Sequence, residues 1–254
     1  MKYTHTNKEL ILFLHIAKTG GTTLRTILDK QYDKHSLSVY PSKQDIYLNT
    51  KEKTINTLKR HINFVKSISG HFDFEMWYDE FKEPLLKLIP TTRKITYITL
   101  LRKPSDRIFS QFHHYKRNNW IDSQIDFKQF IEEKMYTLNY QTTCISGKGI
   151  PNLTKAKINI LNSFSLVGIT ERFSESLFLM NNIFKWKNIK YVKKNKYVSP
   201  CLRNTIPIET IKLLEQDNHL DMELYKFAET LLQHKINNLT MFQKQKIKFF
   251  SPFY

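Results

Sequence analysis

The sequence predicts one α/β domain over residues 1–254, with three layers in which a parallel sheet is flanked by helices. Three observations carry this. The apolar runs at residues 10–16, 95–101 and 166–169 have the continuous Leu/Ile/Val character of strands buried on both faces. Each is followed by helix-like sequence, the alternation that builds a parallel sheet. No Pro/Gly/Ser-rich linker or internal repeat divides the chain, and 254 residues suit a single large core.

In chain order, the first run leads to a helix over 22–30. A second helix is expected over 51–66, and a short strand over 68–72. The second run leads to a helix over 104–116, whose Pro104 falls in the first turn, where a missing N–H costs nothing. Helices are expected over 127–136 and 153–162. The third run leads to a helix over 174–184. A further short strand at 190–193 and helices over 208–215 and 220–234 complete the pattern.

Composition narrows the partners. Forty Lys and Arg against 23 Asp and Glu give a net charge of +17, which concentrates polyanions of any kind near the surface. Hydrophobic residues at 41% mark a folded chain and exclude a disordered tail. The two cysteines, Cys144 and Cys201, form no CxxC and no spaced Cys/His set, so two buried free thiols are expected. The run at 10–14 is too short to cross a membrane and no small-residue cleavage site follows it. The expectation is a soluble, cytoplasmic protein without a transmembrane segment.

The first chemistry-bearing segment is His15-Ile16-Ala17-Lys18-Thr19-Gly20-Gly21-Thr22-Thr23, between the first strand and the first helix. Two adjacent glycines permit a turn whose N–H groups converge on an anion. The helix that Thr22 and Thr23 open adds free N–H groups and a positive dipole end. Lys18 adds a mobile cation. The lysine precedes the glycines, so this is not the G-x-x-x-x-G-K-[ST] loop of nucleoside triphosphatases.

The second segment follows residues 95–101. Arg102 stands at a strand end where a magnesium-dependent phosphoryl-transfer enzyme commonly places a metal-binding aspartate. Arginine grips phosphate directly through two parallel hydrogen bonds. Ser110 lies roughly 9 Å along the following helix, at 1.5 Å per residue, so Arg102 and Ser110 are expected to share one phosphate. No metal ligand set is expected. Arg107 is a second basic candidate, with an outward solvated position as the competing reading. His113, His114, Lys116 and Arg117 read as a solvated basic face.

Together these segments resemble the sulfotransferases that use 3′-phosphoadenosine 5′-phosphosulfate (PAPS), and most of all the heparan sulfate 2-O- and 6-O-sulfotransferase group with its bacterial relatives. Residues 13–23 are similar to the family's 5′-phosphosulfate loop, and residues 97–110 to its 3′-phosphate motif, with the same spacing of eight between Arg102 and Ser110. Ser69-Gly70-His71-Phe72-Asp73-Phe74 resembles the segment that carries the family's catalytic histidine. Residues 167–173 resemble a later strand-to-helix junction, and residues 220–225 the start of the last helix.

The resemblance implies a P-loop-like sulfotransferase fold and transfer of a sulfuryl group from PAPS to a hydroxyl of a carbohydrate-type, possibly acidic acceptor. The product would be 3′-phosphoadenosine 5′-phosphate (PAP). It implies Lys18 and His71 as catalytic residues. It also implies Lys18, Thr19, Gly20, Gly21, Thr22, Thr23, Arg102 and Ser110 as donor-binding residues. From residues alone, a histidine after a short apolar segment reads as structural; the resemblance makes His71 the base. His15 is the competitor, with a hydrogen-bonded core role expected. Asp73 and Glu75 are expected either to orient His71 or to touch substrate. Asn139, Gln141 and Thr142 resemble a polar acceptor-side segment. The basic stretch at 191–197 either covers the nucleotide or is a solvated loop. Two other classes remain open on the residues alone: a small-molecule kinase sharing the phosphate loop, and a basic nucleic-acid-binding protein. No helix-turn-helix, zinc or RNA-recognition motif supports the second.

Overall fold

The computed structural model describes residues 9–40, 50–77, 83–187, 189 and 206–248. The basic stretch at 191–197, the expected strand at 190–193 and Cys201 lie outside the described residues.

Five strands form one sheet: β1 (Glu9–Leu14), β2 (Ser36–Val39), β3 (Ser67–Gly70), β4 (Lys94–Leu101) and β5 (Phe164–Ile169). Their order is β2-β3-β1-β4-β5, and every pairing is parallel. Parallel strands need crossover connections, and the described α-helices lie between the strands or follow the last of them. They are α1 (Gly21–Tyr32), α2 (Thr50–His61), α3 (Pro104–Arg117), α4 (Phe127–Glu132), α5 (Tyr140–Ser146), α6 (Leu153–Ser163), α7 (Phe173–Phe184), α8 (Ile208–Asp217), α9 (His219–Asn237) and α10 (Met241–Lys248). The expected three-layer class is the observed one.

The core explains the apolar runs. Leu10, Leu12, Phe13, Leu14, Ile98, Leu101 and Ile169 have no exposed surface, because helices cover the central strands from both sides. A satellite cluster of Ile108, Phe112, Phe130, Ile131, Tyr136 and Leu214 packs α3 against α4 and α8.

Three expectations change. The helix placed over 51–66 ends at His61, since Arg93 draws the following turn inward. Its Nη1 donates to the Ile62 carbonyl and its Nη2 to the Val65 carbonyl, both at 2.7 Å. The helix placed over 127–136 stops at Glu132, where Lys134 takes a left-handed φ of 48°. The edge strand β2 and the short helix α5 were not expected. Among the described residues no helix is long and apolar enough to cross a membrane.

The strand order reverses at β1, whose neighbours β3 and β4 lead to opposite sides of the sheet. Ligands of open parallel sheets bind beyond the carboxyl ends of the strands at such a switch point. Leu14 at the end of β1 pairs with Gly70 of β3 and Thr99 of β4. The residues just beyond are the lysine loop, His71 and Arg102.

Candidate active site

The lysine loop is tied down on three sides. His15 N–H donates to the Gly70 carbonyl at 2.9 Å, extending the β1–β3 ladder by one residue. Thr19 has no exposed surface; its hydroxyl donates to the Ile16 carbonyl at 2.9 Å. The Thr170 hydroxyl sits between the carbonyls of Thr19, at 2.6 Å, and Leu101, at 2.9 Å, joining the loop to the ends of β4 and β5. Gly20 caps α1 at φ 83°, a left-handed conformation that a side chain would strain. The only backbone bond entering this first turn from the cap is Thr23 N–H to the Gly20 carbonyl, at 3.2 Å. The amides of Gly21 and Thr22 therefore stand at the open end of the helix.

Gly21 answers a different need. A Cβ there would lie 2.0 Å from His15 Cδ2 and 2.3 Å from its Nε2. The imidazole of His15 occupies the space where a side chain would be. His15 is buried, at 7% exposure, and its Nδ1 is 2.8 Å from the Tyr40 hydroxyl. Burial drives its pKa down to about 2, with the charges of His71, Arg25 and Lys18 acting the same way, so the ring is neutral at any working pH. The hydrogen-bonded core role expected for His15 is observed, and the ring also reaches the cavity wall. Gly21→Ala is expected to lower Tm by several degrees, since forcing extra atoms into a packed site costs about 1–3 kcal/mol. A melting curve identical to wild type would contradict this account of the second glycine.

His71 follows β3 directly. Its Nδ1–H donates to the His15 carbonyl at 2.6 Å, which fixes the neutral tautomer with the Nε2 lone pair available. The ring centroids of His15 and His71 are 4.4 Å apart. His71 is exposed on its cavity side and crowded elsewhere. Desolvation lowers its pKa, the Arg25 and Lys18 charges add to this, and the bond to the His15 carbonyl opposes it. The orienting group is thus a backbone carbonyl rather than the acidic residues considered from sequence. Glu75 accepts from Trp77 Nε1 at 3.3 Å, and the Asp73 carboxylate faces the thiol of Cys144, whose pKa is raised by burial and further by that carboxylate. Cys144 is a buried free thiol, as expected.

Arg102 meets the loop itself: its Nη1 donates to the Lys18 carbonyl at 3.2 Å. Its main chain is held by Gln141, whose Oε1 accepts from Arg102 N–H at 2.9 Å and whose Nε2 donates to the Arg102 carbonyl at 2.8 Å. Gln141 and Thr142 have no exposed surface and Asn139 is 7% exposed. This overturns the acceptor-side reading of those three, because their polar groups are committed to interior partners. Ser110 lies half-buried on α3, and neither it nor Arg102 belongs to the cavity lining described next.

A cavity of about 710 Å³ opens here, within the range of small-molecule sites. Its wall includes His15, Lys18, Thr22, His71, Arg107, Gln111, His114, Arg117 and Trp120, and among the described residues its lining contains no Asp or Glu. Burial and the nearby charges of Arg117 and Arg102 bring the Lys18 pKa down to about 8. His114, whose Nδ1 faces Arg117 Nη2 at 3.2 Å and Asn118 Nδ2 at 3.0 Å, has its pKa lowered to about 4 by burial and by Lys18 and Arg117.

Three sequence readings need correction here. Arg107 is 1% exposed and donates through Nη1 to Gln111 Oε1 at 2.8 Å, so its outward position is excluded. His114 and Arg117 border the cavity, Arg117 while remaining exposed, so part of the basic face adjoins the site. Among the candidate loop residues, Lys18 and Thr22 reach the cavity, while the side chains of Thr19 and Thr23 are buried beneath it. Sequence reasoning missed Tyr40 and Trp120, which carry no motif. Among the described residues no group of three or more His, Cys, Asp or Glu could hold a metal ion.

A parallel sheet with a glycine-turned lysine loop at its switch point has the P-loop-like sulfotransferase fold. The chain belongs to the galactose-3-O-sulfotransferase family, whose sequence model matches residues 3–245. Its relatives include the heparan sulfate enzymes that the motifs resemble. It is 21% identical over 292 residues to heparan-sulfate 6-O-sulfotransferase 1 of Cricetulus griseus, covering 92% of this chain and 70% of that one. It is 23% identical over 251 residues to galactose-3-O-sulfotransferase 3 of Homo sapiens, covering 88% of this chain and 56% of the relative. Among solved structures, a mouse sulfotransferase complexed with PAP aligns at a TM-score of 0.47 and 16% identity, covering 96% of this chain and 83% of that one.

Proposed function

We propose that this protein is a single transferase domain that moves a sulfuryl group from PAPS to a hydroxyl of a saccharide. The observation that carries the reading is the convergence of Lys18, His71 and the open end of α1 on one cavity at the carboxyl edge of β3, β1 and β4. The family of carbohydrate sulfotransferases supports the acceptor class.

In this reading the amides of Gly20, Gly21 and Thr22 and the hydroxyl of Thr22 hold the 5′-phosphate of the donor, the arrangement that favours anions at helix starts. Arg102, with Ser110, takes the 3′-phosphate. The acceptor hydroxyl gives its proton to Nε2 of His71 as its oxygen attacks the sulfur in line. The bond between sulfur and the bridging oxygen breaks, and Lys18 stabilises the charge that gathers on the departing 5′-phosphate. The products are a sulfate ester and PAP, with one proton left on His71.

Two opposite protonation demands give a pH signature. His71 must be neutral, so kcat/KM falls as pH drops through a pKa below the ordinary 6.5. Lys18 must be charged, so kcat/KM falls again as pH rises through about 8. We expect a bell whose alkaline limb moves upward in Lys18→Arg, because arginine keeps its charge. The test is transfer of labelled sulfate from PAPS to a panel of saccharides across pH 5 to 10. An alkaline limb unmoved by Lys18→Arg would remove Lys18 from its role.

A further inference from the structure

Arg102 does not hold its own position. A buried chain of hydrogen bonds runs to it from α9, more than a hundred residues later. Asp221, 1% exposed, accepts from the N–H groups of Gln141, at 3.1 Å, and Thr142, at 2.7 Å, and from the Thr142 hydroxyl at 2.7 Å. These bonds anchor the first turn of α5. From that turn the Gln141 side chain reaches the end of β4 and closes both main-chain groups of Arg102 in a paired amide contact. Arg102 then reaches the Lys18 carbonyl.

Each part of this chain is costly to bury and gains little except placement. Removing a carboxylate from water is unfavourable, and burial raises the Asp221 pKa. The nearby Arg107 charge and the three donated bonds favour the ionised form. A fully buried glutamine side chain satisfies two backbone groups that a continuing helix or a water could have satisfied. The strand ends at Leu101 and α3 starts at Pro104; Lys103 is held at its N–H by Glu171 and at its carbonyl by Arg107 N–H, whereas Arg102 lies in neither ladder nor helix and needs a restraint of its own. Gln141 supplies that restraint at the residue that must meet the donor.

We propose that Gln141, anchored by Asp221, is a positioning residue that sets the Arg102 guanidinium for the donor's 3′-phosphate. The assignment rests on the reading of Arg102 given under the proposed function. Its consequence is specific: Gln141 governs discrimination between nucleotides with and without a 3′-phosphate, and not general nucleotide affinity.

The test is calorimetric titration of the full chain with PAP and with adenosine 5′-phosphate, in wild type, Arg102→Ala, Gln141→Leu and Gln141→Glu. Wild type should favour PAP, and Arg102→Ala should abolish most of that preference. Gln141→Leu should reduce the ratio of the two dissociation constants about tenfold, the scale of one well-placed charge-assisted contact, while adenosine 5′-phosphate binds as before. If the leucine variant melts before it can be titrated, Gln141→Glu keeps the acceptor for Arg102 N–H, loses the donor to its carbonyl and brings a competing negative charge. The ratio should fall there too. A ratio unchanged in both variants, or equal weakening of both nucleotides, would overturn the proposal. A wild-type ratio near one, unaffected by Arg102→Ala, would instead overturn the assignment of Arg102.

Discussion

Lys18→Ala is expected to reduce kcat about a thousandfold, the upper end for removal of one preorganised donor at a site of developing charge. The loop geometry explains why so much rests on one side chain. Lys18 sits at φ 70°, in a left-handed turn held by Thr19, Thr170 and Arg102, so its ammonium enters the cavity from a fixed backbone. Its pKa near 8 leaves it mostly charged at neutral pH and close to the pH at which a proton donor is most effective. Among the described residues the cavity lining holds no carboxylate to pair with it, which in the proposed reaction leaves its charge to the departing phosphate. Steady-state turnover with PAPS checks the prediction. A loss of less than tenfold would mean that the leaving group is neutralised elsewhere.

His71→Ala is expected to lower kcat by about 10²–10⁴-fold, the usual worth of a positioned general base, and to leave PAP affinity unchanged. The separation follows from where the ring sits. Its Nδ1 is committed to the His15 carbonyl, and in the proposed reaction its Nε2 takes the acceptor's proton and has no part in holding the donor's phosphates. His71→Gln should resemble the alanine variant, because an amide can hydrogen-bond but cannot take the proton. Rate measurements with paired PAP titrations decide the matter. A fully active His71→Ala would transfer the base role to another group, and His15, neutral and with its ring centroid 4.4 Å away, would be the first to test.

The central sheet was legible because its strands carry their own signal. Residues 10–14 and 95–101 are buried on both faces by helices, so nearly every position must be apolar, and the run shows in one dimension. Edge strand β2 gives no such run: of Ser36, Leu37, Ser38 and Val39 only Val39 is buried. Helix α5 escaped for a different reason. Gln141 and Thr142 look like loop residues, and their burial is tolerable because Asp221 and the Arg102 backbone, distant in sequence, complete their hydrogen bonds.

The candidate site divides along the same line. The place of the Gly-Gly turn, Lys18 and Arg102 just beyond the strand ends was readable because each directly follows a buried apolar run. The inward turn of Arg107, the part played by Gln141 and the place of His114 and Arg117 in the cavity depend on how α3 packs. Even Gly21 was read only for its backbone freedom, whereas the His15 ring, six residues earlier, is what leaves no room for a side chain. Lys103, next to Arg102, has a local partner: its Nζ is 2.7 Å from Glu215 of α8.

The most direct measurement is a single-turnover reaction with sulfur-labelled PAPS, excess enzyme and a mixed panel of neutral and acidic oligosaccharides, followed by separation of nucleotide from saccharide. The account predicts that label moves to saccharide with one PAP formed per sulfate transferred, and that Lys18→Ala leaves the label on the donor. Label that stays with the nucleotide in the wild-type enzyme across the whole panel, with no binding of PAP, would contradict it.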